Sequence, residues 1–138
     1  DLEALLAQLF ELLMALVGQP RAARLMKPAL PDMALLGVSY MQMTARQASE
    51  WASNASQYVA DEEDSTFTVR VSGELLLDSV MQAFGCNAAG AVMDAVEARM
   101  REAAEQRAAG RVGWWKLREA ALLAAGCCAA SFPGGLGD

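Results

Sequence analysis

The chain has 138 residues, of which 54% are hydrophobic, with 17 acidic and 11 basic side chains and a net charge of −6. That is enough apolar material to build a folded core, which excludes a chain disordered throughout. An acidic surface disfavours direct contact with nucleic acid and favours basic partners.

The first apolar stretch carries Leu2, Leu5, Leu6, Leu9, Leu13 and Leu16 at helical spacing. Phe10, Leu12 and Met14 extend its apolar surface over much of its girth, so a helix packed on two sides is expected, stopped by Gly18 and Pro20. Residues 21–28 read as a connection that has room for one helical turn. The next helix begins near Leu30, tolerates Pro31 in its first turn, and shows Met33, Leu36, Tyr40 and Met43 on one face. Thr44 with Gln47 three residues on forms a capping box for a short helix over 45–53. Residues 54–68, with the acidic run Asp61, Glu62, Glu63 and Asp64, read as the main loop. The alternation of Phe67, Val69 and Val71 has no partner strand elsewhere and is not read as a strand.

Ser72 is the expected N-cap of a helix carrying Leu76, Val80, Met81 and Phe84, ended by Gly85. Asn87 is the expected cap of the next, whose buried face reads as Ala89, Val92, Met93, Val96, Met100 and Ala103, with an outward Glu97–Arg101 pair and Gly110 as its stop. The last helix runs from near Gly113 to Phe132. Its Ala120, Ala121, Ala124, Ala125 and Cys128 are small enough to let neighbouring helices approach closely. A flexible tail is expected over 133–138.

Helix starts near residues 2, 45 and 88 stand about 43 residues apart, and their partners near 30, 73 and 114 stand about 41–43 apart, a period inside the HEAT and armadillo range. The expected fold class is therefore all-α, a HEAT/armadillo-type α-solenoid fragment of about three antiparallel helix pairs, about 1–43, 44–85 and 87–132. Each pair would be stabilised by stacking on the next. The chain begins at Asp1 rather than Met, so a piece cut from a longer chain is expected.

The sequence offers little chemistry. It contains no His, which removes His-based acid–base catalysis, His-containing triads and His metal ligation. It has no glycine-rich phosphate loop. Its three cysteines, Cys86, Cys127 and Cys128, match neither a disulfide framework nor a zinc site, and they fit a reducing compartment. The acidic run lacks the alternating ligand spacing of a calcium loop. No enzyme, cofactor or metal is expected. Membrane insertion is not expected either: Glu3, Gln8 and Glu11 interrupt the first apolar stretch, residues 120–132 are too short to span a bilayer, and no basic segment precedes either.

Several segments together resemble a known family. Leu30-Pro31-Asp32-Met33 with Tyr40-Met41-Gln42-Met43-Thr44 is similar to a helix of karyopherin-β nuclear transport receptors, shared with exportins. Glu50-Trp51, Gln57-Tyr58-Val59, the run Asp61-Glu62-Glu63-Asp64-Ser65-Thr66-Phe67, and Trp114-Trp115-Lys116-Leu117-Arg118-Glu119-Ala120 resemble the middle repeats of the importin-9 branch. The resemblance covers roughly residues 5–130 and departs at Ser131-Phe132-Pro133-Gly134-Gly135. Its acidic segment is thinner than the branch's own.

The resemblance implies a nuclear import receptor that shuttles between cytoplasm and nucleus. Such a receptor carries basic protein cargo such as core histones in a superhelical groove, answers to the Ran GTPase and passes nucleoporins. Asp61, Glu62, Glu63 and Asp64 are then candidate contacts for basic cargo, against a solvated loop. Trp114 and Trp115 are candidate partner contacts, against one Trp filling a junction between repeats and one half-exposed. Arg70 is expected either to pair with the acidic run or to meet a partner. The alternative function is a HEAT-repeat scaffold or regulatory subunit of a multiprotein complex.

Overall fold

A computed structural model of the chain describes residues 2–63 and 69–130, and of 61–63 the backbone alone. Among the described residues every regular element is a helix: α1 (Leu2–Val17), α2 (Pro20–Met26), a 3-10 turn (Lys27–Ala29), α3 (Leu30–Tyr40), α4 (Ala45–Ser53), α5 (Ala55–Glu63), α6 (Val69–Phe84), α7 (Cys86–Ala108) and α8 (Trp114–Ala130). The fold is all-α and HEAT-like, as the repeat spacing implies. Among the described residues no single helix is long and apolar enough to cross a membrane.

Local chemistry sets most of the boundaries. Pro20 opens α2, where its missing N–H is not needed. The Thr44 hydroxyl accepts from the Gln47 backbone N–H at 3.1 Å, and the Thr44 N–H donates back to Gln47 Oε1 at 2.9 Å, completing the expected capping box. Gly110, at φ 76°, ends α7 in a Schellman turn, with Gly110 N–H donating to Arg107 O and Arg111 N–H to Gln106 O. The short connection that follows folds α8 back along α7.

α3 lies against α6 and α7, α6 also touches α8, and α1 lies on α6. Their shared core includes Val38, Met41, Leu76, Leu77, Val80, Val92, Ala121, Ala124 and Cys128, all inaccessible to solvent. Phe10 and Tyr40 meet edge to face, ring centroids 5.6 Å apart, and tie α1 to the end of α3. α4 and α5 pack chiefly on each other.

The tightest approach is between α3 and α6, where two glycines face each other. A Cβ on Gly73 would lie 2.8 Å from the carbonyl oxygen of Gly37 and 2.9 Å from Met41 Cγ. A Cβ on Gly37 would lie 2.6 Å from Leu77 Cδ2. Ser72 is buried and does not cap α6, because the helix is already formed at Val69 and Ser72 lies inside it.

Other expectations are also corrected. Residues 55–63 are helical rather than a loop. Asn54 Oδ1 accepts from Ser56 N–H at 3.1 Å and Gln57 N–H at 3.3 Å, an N-cap in front of good helix formers. Asp64 and residues 65–68 lie outside the described residues, as does the expected tail over 133–138. The connection over 21–28 is mostly helix. Gly85, at φ 57°, takes the N-cap position of α7, and Asn87 is exposed.

α7 buries Ala88 and Ala95 beside Val92, Val96 and Ala103, whereas Met93 is exposed, because the close packing against α3 and α8 favours alanine over a longer side chain. On α3 the buried face is Met33, Ala34, Gly37 and Val38, while Leu36 is exposed, because the face is set by the crossing at Gly37. α1 was expected to pack on two sides. It buries Phe10 and Val17 and leaves Leu2, Leu5, Leu9, Leu12 and Leu16 exposed on the other.

The crossing predicts unequal effects of two similar substitutions. Gly73→Ala sets a methyl against backbone and should cost about 1–3 kcal/mol. Gly37→Ala meets a movable leucine methyl and gains up to about 1 kcal/mol of helix propensity, so its net cost should be smaller. Urea midpoints of the two variants check this, and equal midpoints would contradict the backbone contact.

Candidate functional site

Arg70 lies on α6, only 7% exposed. Its Nη1 donates to the carbonyl of Met41 at 2.9 Å and to Glu119 Oε2 at 2.8 Å, while Nη2 donates to Glu119 Oε1 at 2.7 Å. This is a two-toothed arginine–carboxylate pair, the geometry in which such bonds are strongest. The same guanidinium stands 5.9 Å from the ring of Trp51, at the outer limit of a cation–π contact. Trp51 meets Tyr58 edge to face at 5.1 Å. Arg70 therefore connects the end of α3, α4, α6 and α8.

Neither sequence reading of Arg70 anticipated this partner. Glu119 is 49 residues away and stands inside a motif that draws attention to its tryptophans. Burial so near the acidic run was not legible either, because the start of α6 read as a capping segment. Trp51 bridges α4, Tyr58 on α5 and Arg70.

Trp114 and Trp115 stand together at the start of α8 but differ in setting. Trp114 is half-buried, with Arg107 Cζ 4.9 Å above its ring. Trp115 is 38% exposed, with Lys116 Nζ 5.8 Å from its ring. Asp61, Glu62 and Glu63 occupy the end of α5, and Asp64 lies outside the described residues.

The vicinal thiols sit on α8. Burial pushes the Cys127 thiol up, reinforced by Glu74 and Asp78 on α6 and opposed by Arg70. Burial also pushes the Cys128 thiol up. Both are held protonated at neutral pH, which suits small apolar packing residues rather than nucleophiles.

No family model matches the sequence. The chain is similar to importin-9 of Drosophila melanogaster, with 26% identity over 124 residues. The match takes in 88% of this chain and 12% of that protein, so the chain spans about an eighth of its relative's length. The relationship is distant and karyopherin-like.

The Arg70 geometry carries a stability prediction. Glu119→Gln removes the charge that compensates a buried guanidinium and should destabilise the fold by about 1–3 kcal/mol. Arg70→Lys should not preserve stability, because an ammonium cannot reproduce the planar fork. Chemical denaturation of both variants tests this. Wild-type stability in either would show that the pair is only a surface ion pair.

Proposed function

We propose that this chain is a segment of a nuclear import receptor, a non-enzymatic carrier that holds basic protein cargo in a HEAT-repeat superhelix under control of the Ran GTPase. The observation that carries this reading is the similarity to importin-9 over most of the chain, joined to an all-α HEAT-like fold. Three helix pairs, about 1–43, 44–85 and 87–132, would be the repeats, with 133–138 beyond them. The outward leucines of α1 support the reading, because an apolar face of this kind is what one repeat presents to the next in a stack. Cargo such as core histones would meet the acidic run Asp61, Glu62, Glu63 and Asp64. Nucleoporin contact and shuttling between cytoplasm and nucleus follow from the same reading.

An acidic lure acts mainly on the rate of encounter, through attraction that salt screens over about 8 Å at physiological ionic strength. Replacing Asp61, Glu62, Glu63 and Asp64 with Asn and Gln should slow association with a core-histone dimer several-fold at low salt, with the difference shrinking as salt rises. Stopped-flow association at two salt concentrations reads this out. Equal rates at low salt would mean that the run plays no part in cargo capture.

A further inference from the structure

The corner between α7 and α8 has a charge opposite to that of the whole protein. From Gln106 to Arg118 the chain contains Arg107, Arg111, Lys116 and Arg118 and no carboxylate. Among the described residues none of these four cations has an acidic partner, while Arg46, Arg70, Arg99 and Arg101 each do. The nearest carboxylate on α8, Glu119, is held by Arg70.

Apolar surface lies among these charges. Val112 is 88% exposed, Trp115 38% and Leu122 56%. Trp115, Arg118 and Leu122 follow one another at the three- and four-residue steps that place them on one face of α8. Arg107 covers the ring of Trp114 at 4.9 Å, while Lys116 stands farther from the ring of Trp115, at 5.8 Å, and leaves Trp115 the more exposed of the two. An exposed tryptophan with arginine beside it, in a patch of mixed apolar and cationic groups, is the composition of a binding hot spot.

We infer that the α7–α8 corner binds an acidic peptide segment whose apolar side chains lie on Trp115, Val112 and Leu122 while its carboxylates meet Arg111, Lys116 and Arg118. Charge complementarity selects this occupant. The same corner repels the basic partners that the acidic remainder of the protein attracts, so the two surfaces sort partners by opposite sign. A single-stranded nucleic acid would use the same cations but would need open rings for base stacking, and one of the two tryptophans is covered. The inference is independent of the transport reading, since it rests only on the corner's own residues.

Fluorescence anisotropy with the intact chain tests it, using three labelled probes. One is a short peptide of Glu and Leu in helical register, the second has Lys in place of Glu, and the third is single-stranded oligouridylate. The Glu–Leu peptide should bind saturably and lose affinity as salt rises. Arg111→Glu with Arg118→Glu should weaken that binding by at least about tenfold and create binding of the Lys–Leu peptide. Both arginines are exposed, so the fold should survive, as circular dichroism would show. Trp115→Ala should also weaken the Glu–Leu peptide without favouring the Lys–Leu one. Failure of the Glu–Leu peptide to saturate, or equal affinity in the charge-reversed variant, would overturn the inference. Oligouridylate binding as tightly as the peptide would overturn it in favour of a nucleic-acid site.

Discussion

A guanidinium is expensive to remove from water, and Arg70 is buried because its donors meet acceptors from two other helices. The Met41 carbonyl lies at the C-terminus of α3, where the last carbonyls of a helix lack intrahelical partners and favour a cation. Glu119 lies near the start of α8, and its two oxygens fix the orientation of the fork. One side chain thus satisfies an orphan backbone group, neutralises a carboxylate and offers its face to Trp51 on α4. Removing the Glu119 carboxylate leaves the guanidinium charge uncompensated, and removing the guanidinium takes the donor from both the carboxylate and the Met41 carbonyl, which is why the arrangement behaves as a unit.

Around that tie the packing is governed by small side chains. Gly37 and Gly73 bring α3 and α6 close. Ala120, Ala121 and Ala124 on α8, with Ala88 and Ala95 on α7, keep the remaining interfaces close. Close helices bring backbone and Cβ atoms into dispersion contact and leave no room for long residues, so Met93 and Leu36 point outward although both are apolar. The two aromatic clusters sit where this packing opens: Trp51 with Tyr58 beyond the end of α3, and Trp114 with Trp115 at the turn between α7 and α8.

The sequence made most helices legible because their ends carry chemistry that acts locally. Thr44 and Gln47 form their capping box, Gly110 turns the chain out of α7, and Glu97 pairs with Arg101 at 3.6 Å. Helix phase was less legible. Methionine and leucine mark the buried face by hydropathy, whereas here that face is decided by which residues are small enough for the crossing. The helix over 55–63 was hidden by its polarity, although Asn54 carried the capping signal. The Arg70–Glu119 pair was not legible, since no local rule connects residues 49 positions apart. The candidate contacts split in the same manner. The structure brings Trp114 and Trp115 together with the cations Arg107 and Lys116, and it places Asp61, Glu62 and Glu63 at the end of a helix rather than in a loop.

Cooperation of α3, α4, α6 and α8 through one buried arginine is the central claim, and native-state hydrogen exchange on Arg70→Met measures it most directly. Methionine keeps much of the stem's volume and removes the charge and its donors. The account predicts faster exchange in α4, at the end of α3 and in the first turns of α8, with the middle of α7 as protected as in the wild type. Unchanged protection in all of these segments, or an equal loss spread over every helix, would contradict it.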